Sequence, residues 1–272
     1  MVLDPYIESV LIFTGINIIL ALSLYLPVSA GLLSLGQGGF MAIGAYASAY
    51  LTTELHWPFA GALVSGGLVA GIVGLLVGIP SLRIKGVYLV IMTLGFGEIV
   101  RVFFLNFEPT GAASGLGGIP TYTTLPVVAI VVALTLLLCF QLRGSRIGRA
   151  IEAVREDELA AEVIGINLTR IKVAVFGLGA FVAGIGGGLF AHYATFIDPA
   201  QFAFQRSAEI FIMVVLGGMG NFAGAALGAV VVTVLPELLR LGNAQEWRMT
   251  VFGALLIAIM IVRPWGLLGV RR

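Results

Sequence analysis

The chain contains successive runs of about 20 apolar residues, the length that a helix needs to cross the hydrocarbon core of a bilayer. Nine such runs lie near residues 8–26, 28–51, 59–79, 87–105, 125–142, 173–195, 208–220, 221–239 and 249–262. Several are short or interrupted by glycine. We therefore expect about eight to ten transmembrane helices, several of them broken or re-entrant.

The amino-acid composition predicts a membrane protein. Hydrophobic residues make up 59% of it and charged residues only 11%, whereas a water-facing surface needs roughly 25–35% charged residues. The runs are continuously apolar rather than alternating, which excludes an outer-membrane barrel. A net charge of +1 gives no indication of a nucleic-acid partner. The sequence thus predicts an all-α polytopic membrane protein, with residues 1–272 forming a single transmembrane domain.

The distribution of Lys and Arg predicts the topology. Residues 1–82 contain neither, and basic residues then gather in three places. These places are Arg83 and Lys85, the loop at about 143–172, and the C-terminal Arg263, Arg271 and Arg272. By the positive-inside rule all three are cytoplasmic. The N-terminus is then expected outside and the C-terminus in the cytoplasm, with Arg206, Arg240 and Arg248 as exceptions in short outer loops.

Small residues recur at helical i, i+4 spacing, which lets helix backbones approach closely in a membrane. The pairs are Gly67 with Gly71, Gly74 with Gly78, Ala180 with Gly184 and Gly188, and Gly224 with Gly228. We expect these stripes to pack helices of this chain together, although some could instead face a partner subunit.

Three denser glycine clusters lie at residues 34–39, 111–118 and 217–221. Glycine costs about 1 kcal/mol per helix position relative to alanine, so such clusters favour unwound backbone over regular helix. Unwound backbone at membrane depth must be buried in protein or line a cavity, and transporters bind substrates at such breaks. We expect the helices to break at these clusters and the substrate to pass there, although ordinary turns would explain the same pattern.

Few polar groups lie within the apolar runs. Glu98 and Arg101 share one helical face and are expected to pair, because an isolated charge is costly in hydrocarbon. Either a structural pair or a pathway-lining pair fits this spacing. Gln37 can both donate and accept hydrogen bonds, which suits a zwitterionic ligand. Glu209 and His192 are expected at the membrane interface.

The residues needed for a membrane enzyme are absent from the sequence. With two histidines and one cysteine, Cys139, the chain has neither an H-E-x-x-H zinc motif nor a C-x-x-C pair. Ser114 and His192 have no motif that would bring them together. The chain also has no G-x-x-x-x-G-K-[ST] phosphate-binding loop. We therefore predict no catalytic residues, no metal site and no cofactor bound by this chain.

The loop at 143–172 is the most polar stretch. It shows a helical pattern of about 14 residues with Leu159, Val163 and Ile166 on one apolar stripe. Gly165 and Asn167 are expected to end this helix. A short amphipathic helix on the cytoplasmic face is suited to a groove on a partner.

This loop resembles the coupling segment of ABC importer permeases, the "EAA…G" segment that docks on the ATPase. The resemblance is carried by Gly148-Arg149-Ala150, Ala153 and Ala160-Ala161-x-x-x-Gly165. The family's glutamate position is Leu159 here, with Glu158 just before it, and the trailing apolar-proline part is missing. This departure matches one subfamily, the membrane subunits for branched-chain amino acids.

Further segments between residues 20 and 235 resemble the M-type subunit of that subfamily. They are Leu35-Gly36-Gln37, Arg83-Ile84-Lys85-Gly86-Val87-Tyr88, Thr93-Leu94, Glu98-Ile99-Val100-Arg101, Thr110-Gly111, Gly115-Leu116-x-Gly118-Ile119-Pro120 and Gly217-Gly218-x-Gly220-x-x-x-Gly224.

The resemblance implies an inner-membrane permease subunit of a binding-protein-dependent ABC importer. Its expected partners are a homologous second permease, two cytoplasmic ATPases that bind ATP and Mg²⁺, and an external binding protein. The residues expected to couple to the ATPase are Gly148, Arg149, Ala153, Asp157, Ala161 and Gly165, and those expected along the substrate path are Gln37, Glu98 and Gly218. The alternatives are a related urea or amide importer, an ion-coupled secondary transporter and a channel-like pore.

Overall fold

The computed structural model describes residues 4–81, 84, 86–241, 253, 257 and 266–268. Over these residues the chain forms ten α-helices and three short 3-10 helices. The α-helices are α1 (Pro5–Ser29), α2 (Gln37–Thr53), α3 (Phe59–Ser81), α4 (Val87–Asn106), α5 (Leu125–Gly144), α6 (Arg146–Glu156), α7 (Glu158–Val163), α8 (Leu168–Ala194), α9 (Phe204–Gly217) and α10 (Phe222–Leu241).

The predicted all-α membrane architecture is confirmed. Five helices in the described part of the chain, α1, α3, α4, α5 and α8, are long and apolar enough to cross a membrane. Helices α2, α9 and α10 lie at three further predicted runs. The ninth run, 249–262, falls mostly outside the described residues, as do Arg83, Lys85, Arg248 and the C-terminal arginines.

Helix α8 lies at the centre of the bundle and packs against α1, α2 and α3. Its small residues allow this, because a Cβ on Gly44 of α2 would overlap the backbone of Gly184. A Cβ on Gly184 would lie 2.6 Å from the Cβ of Ala70 on α3. Three helices therefore meet at one glycine position of α8.

The small-residue stripes pack helices within this chain, as predicted. Along α3, the positions Gly67 and Gly78 face Ile185 and Val173 of α8, so the two helices run antiparallel. On α10, a Cβ at Gly224 or Gly228 would overlap backbone carbonyl oxygens of α9. Close backbone approach of this kind is the expected packing mode where lipid removes the hydrophobic drive between helices.

The two ends of the bundle are distinguished by α6 and α7. We call the end where α5 finishes and α8 begins the α6 end. Helix α1 also finishes there, since a Cβ on Gly31 would lie 4.0 Å from the Cα of Arg155. Helix α10 runs antiparallel to α1: the Phe222 ring lies 6.4 Å from that of Tyr25, and Glu237 accepts a hydrogen bond from Tyr6.

Helices α2 and α9 begin inside the bundle. Helix α2 has 17 residues and α9 has 14, which at 1.5 Å per residue gives about 26 and 21 Å, less than the roughly 30 Å of a hydrocarbon core. Their first turns meet, since the amide of Gly38 donates to Ser207 Oγ at 2.9 Å. The predicted break in the second run is therefore confirmed, but it covers residues 30–36 and ends where α2 begins at Gln37.

The other two glycine clusters form connections between helices. Residues 111–118 lie within the connection from α4 to α5, at the end opposite to α6, where Gly111, Gly115 and Gly118 have positive φ beside two 3-10 turns. Leu116 and Ile197 exchange backbone hydrogen bonds there, at 2.8 and 3.0 Å. Gly218, with φ of 110°, ends α9 before α10 begins. The second cluster therefore does not interrupt a span, whereas the third separates two helices.

Candidate functional site

The segment between α5 and α8 folds as two short helices, not as the single helix that the sequence pattern predicts. Asp157 is the reason, because its extended backbone (φ −153°, ψ 112°) ends α6. Its carboxylate then accepts hydrogen bonds from the amides of Leu159 at 2.8 Å and Ala160 at 3.1 Å. This is an N-cap, which satisfies amides that lack a partner at a helix start. Asp157 thus shapes the predicted coupling segment.

Two glycines set the limits of this segment. A Cβ on Gly148 would overlap the carbonyl oxygen of Leu142 at the end of α5, so the tight turn from α5 into α6 requires glycine. Gly165 has φ of +87° and ends α7 as predicted, with the amide of Ile166 donating to the carbonyl of Ala161 at 3.0 Å. The prediction for Asn167 is wrong: it caps the start of α8, accepting from the amide of Arg170 at 2.9 Å.

The exposed surface of this segment is partly apolar. Leu159 is 75% exposed, Val163 86% and Ile164 73%. Of the residues predicted to couple to the ATPase, Arg149, Asp157 and Gly165 are exposed, and Gly148 and Ala153 are half-buried. Ala161 is buried and supports the segment from inside. The surface therefore has the apolar and charged groups that a docked helix presents to a groove.

An ion pair that the sequence analysis missed joins this segment to α8. Lys172 Nζ lies 2.7 Å from Glu158 Oε1, and the lysine side chain is 6% exposed. The 13 residues between them conceal the pair in the sequence, because the chain turns back between α7 and α8. Lys172, which the sequence analysis counts toward the membrane topology, therefore also links two helices of the fold.

The predicted path residue Gln37 lies at the start of α2 inside the bundle. It is buried, and its side-chain amide lies 3.5 Å from both the carbonyl oxygen and the hydroxyl of Ser23 on α1. A Cβ on the adjacent Gly36 would lie 3.1 Å from the carbonyl oxygen of Thr93 on α4. Gln37 thus lies among α1, α2 and α4 at the helix break.

Glu98 and Arg101 form the predicted pair on α4, with Arg101 Nε 2.7 Å from Glu98 Oε2. Their side chains are 37% and 29% exposed. Glu98 follows Gly97, whose Cα would lie 3.1 Å from a Cβ on Gly39 of α2. Gln37 and Glu98 are therefore on helices, α2 and α4, that touch in the first turn of α2.

Gly218 is separate from these two residues. It follows the last residue of α9, eleven positions beyond Ser207, which contacts Gly38. At 1.5 Å per residue that is about 16 Å along the helix. The three predicted path residues thus do not form one cluster.

The structure also contains a polar network that the sequence analysis missed. Arg206 lies in the first turn of α9, where Nη1 is 3.0 Å from Glu209 Oε2 and Nη2 donates to Asn17 Oδ1 at 2.8 Å. Asn17 donates in turn to Thr233 Oγ1 at 2.8 Å. Arg206 is therefore part of a helix and not of the predicted outer loop, and Glu209 lies one turn further along that helix. Only the i, i+3 spacing of Arg206 and Glu209 could have suggested the pair.

His192 lies in the last turn of α8, but its side chain is packed inside the protein and does not extend to the membrane interface. It is fully buried between α2 and α8, where Nε2 lies 3.0 Å from Thr52 Oγ1 and Nδ1 lies 2.8 Å from the carbonyl oxygen of Gly188. Both ring nitrogens are satisfied by the protein, which indicates a structural residue.

Comparison with known proteins identifies relatives of this chain. Residues 6–260 match the family described as "Branched-chain amino acid transport system / permease component". The high-affinity branched-chain amino acid transport system permease protein LivM of Escherichia coli (strain K12) is 39% identical over 95% of this chain and 69% of its own length.

Two further relatives are less similar. The corresponding permease protein LivH of Escherichia coli (strain K12) is 35% identical over 53% of this chain and 46% of its own length. The fructose import permease protein FrcC of Rhizobium meliloti is 26% identical over 62% of this chain and 46% of its own.

No solved structure matches this chain significantly. The match to the family covers most of the chain, and the described part forms the multi-pass helical bundle that a permease requires. The chain belongs to the family of branched-chain amino acid transport system permease components.

Proposed function

We propose that this chain is a transmembrane subunit of a binding-protein-dependent ABC importer for branched-chain or other neutral, apolar amino acids. Its similarity to LivM over nearly its whole length is the observation that carries the proposal. The whole of residues 1–272 acts as one permease domain in the inner membrane, with the α6 end in the cytoplasm. The clustering of basic residues near that end supports the orientation.

The α6–α7 segment is the surface that docks on the partner ATPase. Leu159 and Val163 provide apolar contacts, while the caps at Ser145 and Asp157 hold the segment's shape. Glu158 links it to α8 through Lys172, and α8 packs on α1, α2 and α3. A movement of the α6–α7 segment would therefore be transmitted by this ion pair to α8, at the centre of the bundle.

ATP enters the mechanism through partner chains. The sequence has no phosphate-binding loop, so ATP and Mg²⁺ are bound by two ATPase subunits and this chain is not itself the enzyme. The bundle alternates between states that open to opposite sides of the membrane, and the ATPase pair drives it by binding one state more tightly than the other.

The remaining partners follow from the relatives. LivM and LivH are named as permease proteins of the same kind of transport system, which supports pairing of this chain with a second, homologous permease. An external binding protein would deliver the substrate. A related urea or amide importer is the alternative. The similarity to a fructose permease means that sequence similarity alone does not define the substrate.

The proposal is tested by co-expressing the chain with its partner subunits and measuring uptake of labelled leucine into proteoliposomes that contain ATP. The double variant Leu159→Asp, Val163→Asp should lose ATP-dependent uptake and the co-purified ATPase. Leu55→Asp, at an exposed apolar position in the α2–α3 connection, is the control. Uptake that continues without ATP would indicate an ion-coupled transporter or a pore. Uptake of urea instead of leucine would favour the alternative substrate.

A further inference from the structure

The network around Arg206 lies halfway through the bundle. Asn17, which accepts from Arg206, is the thirteenth of the 25 residues of α1, so it is about 18 Å from either end of that helix at 1.5 Å per residue. Its other partner, Thr233, is near the middle of α10. Because α1 is long and apolar enough to cross the membrane, Arg206 and Glu209 lie near the bilayer midplane.

The outward face of α9 is polar at this depth. Arg206 is 16% exposed, but the Glu209 side chain is 46% exposed. Gln205 is also exposed and lies on the same face, four residues before Glu209. Ile212, three residues after Glu209, is 37% exposed and continues this face. We call Gln205, Glu209 and Ile212 the α9 face.

A half-exposed carboxylate at the midplane cannot face hydrocarbon without a large cost. The α9 face must therefore meet either water or another polar surface. Arg206 holds one oxygen of Glu209 and is itself held by Asn17, so the carboxylate is fixed in orientation. The opposite side of the first turn of α9 packs on the start of α2, where the amide of Gly38 donates to Ser207 Oγ, so the α9 face points away from that contact.

We propose that the α9 face lines the substrate path and that the Glu209 carboxylate binds the ammonium group of a zwitterionic amino acid as it crosses the midplane. This assignment rests on the proposed function. Arg206 is a positioning residue. It orients Glu209 and balances the charge of its carboxylate, so that the ion pair has no net charge when a zwitterionic substrate binds. A salt bridge to the ammonium group replaces part of its hydration in the middle of the membrane.

Water access to the α9 face is tested with single-cysteine variants of the complete transporter. The sequence has one cysteine, the buried Cys139, which is first replaced in Cys139→Ala. Gln205→Cys should then react with a charged, membrane-impermeant methanethiosulfonate reagent, and leucine-loaded binding protein with ATP should change the rate. Leu134→Cys, at a 59% exposed position in the middle of α5, should not react. Absence of labelling at residue 205 in every nucleotide state would overturn the proposal.

The role of Glu209 is tested by comparing leucine uptake with ATP hydrolysis in proteoliposomes. In Glu209→Gln, leucine taken up per ATP hydrolysed should fall at least about tenfold, the scale of one lost charge-assisted hydrogen bond. ATP hydrolysis stimulated by loaded binding protein should persist, and Glu209→Asp should recover part of the uptake. Glu237→Gln, at the far end of α10, is the control.

Two results would overturn the role of Glu209. One is an unchanged ratio of uptake to hydrolysis. The other is loss of the second permease from purified Glu209→Gln, since the α9 face would then be a subunit contact. Wild-type transporter that carries urea, and no leucine, with Gln205→Cys still labelled would instead contradict the proposed substrate while leaving the α9 face in the path.

Discussion

The ammonium group of Lys172, near the start of α8, lies 2.7 Å from a carboxylate oxygen of Glu158, in the first turn of α7. The lysine is almost completely buried, whereas the glutamate side chain is 31% exposed. We predict that Lys172→Met lowers the thermal stability of the detergent-solubilised complex and reduces ATP-dependent uptake, because it removes the ion pair between the α6–α7 segment and α8.

A double-mutant cycle measures this pair. We expect Glu158→Gln and Lys172→Met to be coupled by about 0.5–3 kcal/mol, the usual range for residues in direct contact. Arg170→Met, an exposed change two residues away, is the control and should leave the melting temperature unchanged. Strictly additive effects of the two substitutions would contradict a functional link through the pair.

Gly148 should not tolerate even one added methyl group. In Gly148→Ala the Cβ would overlap the carbonyl oxygen of Leu142, so the turn between α5 and α6 must open at a cost of about 1–3 kcal/mol. We expect less co-purified ATPase and weaker uptake, measured against total permease. Gly144→Ala is the matched control, because its Cβ would meet nothing within 4 Å. Equal behaviour of the two variants would rule out the steric explanation.

Asp157 is expected to act through its cap and not through its charge. Asp157→Ala removes the acceptor for the amides of Leu159 and Ala160, at a cost of about 0.5–2 kcal/mol. Hydrogen–deuterium exchange of residues 158–164 should therefore become faster. Asp157→Asn keeps an N-cap oxygen and should resemble wild type. If the Asn variant exchanges as fast as the Ala variant, the charge is what matters.

Gly44 should be essential for packing α2 on α8. A Cβ there would overlap the backbone of Gly184. Moving α2 away from α8 would loosen the packing at the position where α3 also meets α8. We expect Gly44→Ala to lower the free energy of unfolding by about 1–3 kcal/mol, seen as a lower melting temperature and yield. Gly95→Ala on α4, where a Cβ meets nothing within 4 Å, should be tolerated. Normal yield and melting temperature in Gly44→Ala would argue against this contact.

Local sequence signals predicted most of the helices and their packing faces. An apolar run signals a membrane helix wherever it occurs, so the run at 125–142 corresponds to α5 at 125–144. Glycines at i, i+4 mark the α3 face that meets α8, and Gly165 ends α7 because its positive φ favours glycine. These features depend only on neighbours along the chain.

The sequence was less informative where a break or a charge depends on distant residues. The three glycine clusters look alike in sequence, yet only at the first does a helix begin inside the bundle, where Gly38 contacts Ser207. The sequence presents Arg206 and Lys172 only as topology signals, whereas in the structure both side chains are mostly buried and contact Asn17 and Glu158.

The sequence alone determined that the chain is a helical membrane protein, where most of its helices lie and which permease family it resembles. Only the tertiary structure decided which helices start inside the bundle and which charges meet at mid-depth. The physical reason is range: hydropathy, helical spacing and glycine conformation act over a few residues. The contacts of Arg206 with Asn17 and of Gly38 with Ser207 instead join positions 189 and 169 residues apart, and they form only when the helices pack.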